Sequence, residues 1–476
     1  MYAATTSVAL VGGDVRPVEV QVHVGRQQEQ FKLSGLPDTA VREAKDRVRA
    51  AVVSSGIKFP NRTVTVNLAP AHLPKSGTDF DLPIALGVLA ATGEIPRPRG
   101  VVVVGELALD GTVRSGPSTL GAAVLSARIG TACLVGLAAA PEVAAVPGSR
   151  VHGVSSLAEA VSLLRVGLDN VVGVDAGVSE RSAVAGDLSE VEGQPLARRA
   201  IEIAAAGSHH LLLHGPPGGG KTMLARRISG IRPVLSEEEA VAVALIHAAA
   251  GVQRGLSHER PFRAPHHTAS RAALVGGGSG VAVPGEVSLA HHGTLFLDEM
   301  AEFPRANLDT LRQPLEDGSV TVARRGVTAT FPSSFHLVAA TNPCPCGFLG
   351  DDRKPCECRP ASVARYRQRV SGPLLDRFDL VVKVERLQSS SMGTPGESTV
   401  DVRSRVAAAS RLLAEGDPGC TGDAEDLLRS ALSKGSLTGR GVTRVRRVAQ
   451  TIAALAGAEL VTDDHVAEAM GLRGTW

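Results

Sequence analysis

Gly215-Pro216-Pro217-Gly218-Gly219-Gly220-Lys221-Thr222, directly behind the apolar run Leu211-Leu212-Leu213, reads as a buried strand that turns through a glycine-rich loop into a helix. The glycines let backbone N–H groups close on phosphate oxygens, and the helix starting near Gly220 aims its positive dipole end at them. Lys221 then meets the β and γ oxygens, and Thr222 offers its hydroxyl to Mg²⁺. A nucleoside triphosphate is the expected ligand.

A second apolar run, Leu295-Phe296-Leu297, ends in Asp298-Glu299. Beside a phosphate loop, that pattern places Asp298 on the Mg²⁺ shell and leaves Glu299 to orient the water that attacks the γ-phosphate. ATP with Mg²⁺ is the implied cofactor pair. A third run, His336 to Thr341, ends at Asn342, where an amide would touch the γ-phosphate or the water; the alternative is a turn-forming Asn before Pro343. Arg377, in Gly372-Pro-Leu-Leu-Asp-Arg-Phe-Asp379, has the form of an arginine finger supplied by a neighbouring subunit, against the alternative of an intrachain pair with Asp376 or Asp379. Arg440, with Arg444 behind it, is a candidate for reaching phosphates from the C-terminal helices, or else a surface arginine.

Around these motifs 476 residues are too many for one ordinary core, so two or three domains are expected. Residues 1–165 interleave short strands (Val18 to Val24, Thr63 to Asn67, Val101 to Val104, Ala132 to Val135) with helical patterns (Thr39 to Ser54, Leu82 to Thr92, Thr119 to Ile129), an α/β unit. Residues 166–189 have no sustained period and read as a linker. Residues 190–386 form the nucleotide-binding unit, whose continuous apolar runs suit a parallel sheet buried on both faces. Residues 399–476 follow a Ser/Gly/Pro-rich loop and read as a helical lid. The overall class is α/β. No long uncharged apolar run and no leader pattern is seen, so the expectation is a cytoplasmic protein without a membrane span. The formal net charge of +2 leaves nucleic acid open, because a ring or groove can keep positive charge local.

Four of the six cysteines, Cys344, Cys346, Cys356 and Cys358, crowd into fifteen positions. Two short pairs joined by a turn are consistent with a structural Zn²⁺ held by four thiolates; free thiols and an iron–sulfur centre are the alternatives. Following Asn342 directly, a pinned loop would stiffen the γ-phosphate side of the site.

Between Lys221 and Asp298 the interval is longer than a minimal nucleotide unit needs, and an insertion holding Arg263, His266, His267 and Arg271 is a candidate for projecting into a central pore. A hairpin over Ser319 to Thr330 carries Arg324-Arg325-Gly326 at its tip. Several copies of Arg324 and Arg325 facing one axis would attract a phosphate backbone, the alternative being a solvated tip. The pair His266-His267 is read as a poor chelate, since neighbours on a strand face opposite ways. At 3% aromatic residues no stacking stripe is visible, so backbone contact with DNA is expected rather than base readout.

These motifs together resemble the AAA+ ATPases, and more narrowly the magnesium-chelatase-like branch known as the YifB or ComM family. The resemblance covers almost the whole chain and is most specific at Arg260-Pro-Phe-Arg-Ala-Pro-His-His-Thr-Ala-Ser270, Pro284-Gly-Glu-Val-Ser-Leu-Ala-His-His-Gly293, Leu311-Arg-Gln-Pro-Leu-Glu-Asp-Gly318 and Asn342-Pro-Cys-Pro-Cys-Gly347. It implies a hexameric motor and, for ComM members, branch migration of DNA in recombination and transformation. Val64 to Asp79 with Gly105 to Val113 further resembles the proteolytic domain of Lon-type proteases. There the nucleophile's position falls on Asp79 and the dyad lysine's near Leu120, and adjacent Lys75 and Ser76 do not by themselves make a nucleophile and its base. The expected protein is therefore a ring-forming ATP hydrolase acting on branched or junction DNA, with a Lon-like N-terminal unit lacking its Ser-Lys dyad. The rival readings are a chelatase-type motor for metal insertion into a tetrapyrrole and, further off, an ATP-dependent protease.

Overall fold

Alternation in the first residues builds a long hairpin. In the computed structural model, which describes the chain apart from residues 27–28, 176–185, 253, 279–281, 325–326, 387–392, 394 and 475, β1 (Tyr2–Val11) pairs antiparallel with β2 (Asp14–Val24) from Tyr2↔His23 to Val11↔Asp14. Gly12, at φ +65°, makes the turn that only a residue without Cβ enters cheaply. With β3 (Gln30–Ser34), β4 (Thr63–Ala69), β5 (Val101–Val103), a small ribbon β6 (Glu106–Leu107) and β7 (Val113–Arg114), β8 (Ala132–Gly136) and β9 (Arg150–Val154), the chain completes a sheet of order β3-β4-β2-β1-β5-β8-β9. The helix Asp81–Thr92, buried along nearly its whole length, covers one face, and the helix Thr119–Ile129 covers the other. The expected single helix over Thr39 to Ser54 is two, Thr39–Arg42 and Ala44–Ser54, broken at Glu43.

The second sheet is parallel. Its strands β10 (Leu211–His214), β11 (Phe262–Arg263), β12 (Thr294–Leu297), β15 (His336–Thr341) and β16 (Leu380–Lys383) lie in the order β11-β12-β15-β10-β16, with the hairpin β13 (Ser319–Arg324) and β14 (Val327–Pro332) outside it. Leu211 sits level with Val338 on one side and Leu380 on the other, so β10, β15 and β12 end at one edge. In such sheets ligands bind beyond the carboxyl ends of the strands. Burial of these strands on both faces accounts for their unbroken apolar runs.

The helices Thr399–Glu415, Gly422–Ser433, Gly439–Leu455 and Asp463–Gly471 share a core with the helix Pro195–Gly207 and with β10 and β16. After the last helix the chain returns to the sheet. The Val381 N–H donates to the Leu472 carbonyl at 2.9 Å and the Gly474 N–H to the Val381 carbonyl at 3.0 Å, covering the outer edge of β16.

One helix belongs to two cores. Glu237–Ala249, opened by the capping box of Ser236 and Glu239, buries Ala240, Val243, Ala244 and Leu245 in one cluster with Val8, Val15 and Leu125 of the N-terminal sheet unit. The turn of the first hairpin reaches further: a Cβ on Gly12 would stand 2.3 Å from the Thr330 carbonyl oxygen, and one on Gly13 2.7 Å from Pro332 Cδ. The N-terminal sheet thus touches the backbone of β14 directly.

Candidate functional site

The loop after β10 wraps its own lysine. Gly220, at φ +84°, caps the helix Lys221–Ile231, and a Cβ on Gly215 would lie 2.0 Å from the Val384 carbonyl oxygen, so the loop can seat against β16 only without side chains there. Lys221 Nζ donates to the carbonyls of Gly215 at 2.8 Å and Pro216 at 2.9 Å, and to Asn342 Oδ1 at 3.2 Å. Burial lowers the Lys221 pKa from 10.5 to about 8, against the opposing pull of Asp298 and Glu299. The Thr222 hydroxyl donates to Asp298 Oδ2 at 2.9 Å. Residues from the ends of β10, β12 and β15 therefore meet at one edge: an ammonium, a hydroxyl, a carboxylate and an amide. That donor set matches a magnesium-bound triphosphate, with Thr222 and Asp298 placed to hold the cation.

Glu299 follows in the left-handed region at φ +48°, a conformation that costs a non-glycine residue about 1 kcal/mol or more and persists only where the surroundings impose it. His267 Nδ1 stands 3.6 Å from Glu299 Oε2. The His266 and His267 rings lie side by side, 4.1 Å between centroids, rather than on opposite faces, because the segment is a turn and not a strand. Sequence reasoning placed these histidines in a candidate pore insertion and rejected them as metal ligands, and it missed the approach to Glu299, which depends on a fold contact across more than thirty positions. It also missed Gln194, whose Nε2 donates to the Gly219 carbonyl at 3.3 Å and to that of Glu385.

Arg377 is elsewhere. It lies ahead of β16, at the amino-terminal edge of the sheet, lining a cavity of about 540 Å³ with Glu316, Asp379, His210, Arg444 and Arg447. The alternative of a pair with Asp376 or Asp379 is corrected: Arg377 pairs with Glu316, while Asp379 accepts the His210 N–H at 3.0 Å and faces Arg444 at 3.6 Å. Burial first, then the charges of Arg440 and Arg312, holds the Arg377 pKa below its ordinary value. Arg440 is thus a neighbour of Arg377. The structure brings neither of them to Lys221 of the same chain.

The four cysteines converge. Their sulfurs all lie within 4.8 Å of one another, with Cys344–Cys346 at 3.4 Å and Cys356 at 3.6 Å from each of them. Tetrahedral zinc with Zn–S of about 2.3 Å needs sulfurs about 3.8 Å apart, so the cluster fits that ion. The Phe348 backbone N–H at Cys346 helps to draw that thiol down to about 6, while Cys356 and Cys358 are pushed up. This loop leans on the phosphate loop: a Cβ on Gly347 would be 2.7 Å from Pro217 Cδ.

In the N-terminal unit Asp79 is buried, which raises its pKa, and its Oδ2 accepts the Ser118 N–H at 2.8 Å ahead of the helix Thr119–Ile129. It serves there as a hydrogen-bond acceptor at the start of that helix, a structural task. Lys75 is buried too, with its ammonium on the Pro70 carbonyl, and Leu120 is apolar core. Of the expected DNA contacts, Arg325 lies outside the described residues and Arg324 ends β13. Arg263, expected in a pore insertion, is held by both oxygens of Glu286 at 2.7 Å.

Three family models match the chain. Residues 187–392 match the family described as magnesium chelatase, subunit ChlI; residues 18–137 match subunit ChlI of Mg-chelatase; and residues 418–473 match the ChlI C-terminal family. An uncharacterized protein of Mycobacterium tuberculosis is 43% identical over 98% of both chains. YifB of Escherichia coli is 40% identical over 98% of this chain and 96% of its own, and the competence protein ComM of Haemophilus influenzae 38% over 99% and 97%. A shorter likeness, 26% over 37% of this chain and 22% of the other, is to a probable DNA helicase, MCM9, of Arabidopsis thaliana. No described helix is long and apolar enough to cross a membrane.

Proposed function

The chain belongs to the magnesium chelatase subunit ChlI family of AAA+ ATPases, in the branch of YifB and ComM, and on that premise we propose that it is a ring-forming motor that spends ATP hydrolysis on remodelling branched DNA. Family membership supports ATP hydrolysis itself. The observation that carries the residue assignment is the meeting of Lys221, Thr222, Asp298 and Asn342 at one sheet edge. Magnesium, when bound, neutralises charge on the phosphate oxygens. Lys221 exchanges its loop carbonyls for phosphate oxygens, Asn342 holds the γ-phosphate side, and Glu299 orients the attacking water.

Arg377 and Arg440 complete the site from an adjoining protomer. Their shared position at the opposite edge of the sheet supports a head-to-tail ring, in which each chain presents one edge to its neighbour's nucleotide. We assign 1–165 to the Lon-like unit, 190–386 to the nucleotide unit and 399–476 to the lid. The name of MCM9, a probable DNA helicase, supports DNA as the substrate, and the competence role in ComM's name is in keeping with it; Arg324 and Arg325 are the residues assigned to grip it. The four-cysteine loop holds a structural zinc against the phosphate loop.

The family description favours one rival, a motor for metal insertion into a tetrapyrrole. An ATPase assay across single-stranded, duplex and four-way-junction DNA and a porphyrin, with Glu299→Gln as the inactive control, separates the two. Stimulation by junction DNA is expected. Stimulation by porphyrin alone would transfer the conclusion to the rival.

A further inference from the structure

The chain has a single tryptophan and two tyrosines, and two of these three side chains lie beside Asn342. Tyr366, buried on the helix Pro360–Arg367, has its hydroxyl beside Thr341 and the Asn342 backbone. The indole N–H of Trp476 points at the Asn342 carbonyl oxygen at 3.4 Å, and its partly buried ring packs against the cluster that holds Leu212, Leu337 and Ala339. Aromatic residues with a polar edge suit such a place, apolar on one side and bonded on the other.

Trp476 arrives by a particular route. It ends the segment that leaves the last lid helix, Asp463–Gly471, and pairs along β16 through Leu472 and Gly474. The last lid helix is therefore tied to the sheet at its exit. Asn342 in turn holds Lys221 through its amide oxygen. Contacts at Leu472 and Gly474 on β16, of the Trp476 indole on the Asn342 carbonyl and of the Asn342 amide on Lys221 thus stand between the last lid helix and the ammonium at the phosphate loop.

Resting on the reading of Asn342 given above, we propose that Trp476 is a positioning residue for ATP hydrolysis, fixing the Asn342 peptide so that lid position is felt at the amide facing the γ-phosphate. Movement of the lid between nucleotide states shifts the indole, and the shift alters how well Asn342 is aimed. Substrate affinity, set mainly by the phosphate loop, is left alone.

The test uses full-length protein. Trp476→Phe keeps a packed ring and removes the N–H; its kcat for ATP is expected to fall about fivefold, the worth of one ordinary hydrogen bond, with KM changed less than about twofold. Trp476→Ala is expected to fall at least as far. As the single tryptophan, Trp476 also reports on itself: emission from unmodified protein is expected to differ between ADP and a non-hydrolysable ATP analogue, each with Mg²⁺. A wild-type kcat in Trp476→Phe, or identical emission in the two nucleotide states, overturns the proposal. Lys221→Ala keeps the two readings apart: if it is inactive while Trp476→Phe is normal, only the role of Trp476 falls, and if it hydrolyses ATP normally, the nucleotide site itself has been misplaced.

Discussion

Lys221 offers a measurement of the site that requires no turnover. In the free protein burial holds its pKa near about 8, and its ammonium leans on neutral carbonyls. Phosphate oxygens replace those carbonyls with full negative charge, which returns the pKa to its ordinary value of 10.5 or above. Binding must then take up protons: about 0.1 per site at pH 7, about 0.5 at pH 8 and about 0.9 at pH 9. The sign for affinity follows, since the bound form has the higher pKa. Affinity is full below about pH 8 and falls as pH rises through it, by about twofold at pH 8 and about tenfold at pH 9. Calorimetry of a non-hydrolysable ATP analogue in buffers of different ionisation heat reads the uptake directly. Lys221→Arg, charged at every pH in the range, is the flat control. Equal uptake at pH 7 and pH 9 in the unmodified protein would refute the argument that a half-buried, uncompensated ammonium waits at this loop.

Glu299→Gln should lower ATP turnover on the order of 10²-fold or more while binding of the analogue changes little, measured by steady-state hydrolysis and calorimetry. Arg377→Ala should lose on the order of 10³-fold in kcat, and mixed with unmodified chains it should depress activity more than in proportion to its share, because each defective chain also disables a neighbour. Metal analysis should find about one zinc per chain, abolished in Cys344→Ser with Cys356→Ser. Replacing Arg324 and Arg325 with alanine should weaken junction binding and flatten its dependence on salt in a titration from low to high ionic strength.

What could be read from the sequence was whatever depends on short spacing. The phosphate loop, the apolar runs of β10, β12 and β15 with their chemistry at the carboxyl ends, and the four cysteines each fall within a few residues, and period and turn chemistry suffice to place them. The α/β class followed from the same runs. Contacts across the fold were not legible. Arg377, in the turn after the short helix Gly372–Leu375, finds Glu316, sixty-one positions away, rather than the acids beside it. His267 meets Glu299, and Trp476 meets Asn342, only after the sheet has set distant loops together. The helix Glu237–Ala249 was absent from the expectation for a related reason. Its residues from Val243 to His247 are buried in one unbroken run, partly under the N-terminal unit, so it carries no single amphipathic stripe.

That helix also limits how the protein can be dissected. A fragment beginning after residue 165 would keep every group proposed to touch ATP, yet it would strip the cover from Leu235, Val243 and Leu245 and bare an apolar strip beside the backbone of β14. Such a fragment would be expected to clump during purification, and an inactive fragment would then say nothing about whether the first 165 residues handle DNA. Point changes at the contact, Gly13→Val for instance, are the cleaner scalpel, since they part the two units while leaving both surfaces in place.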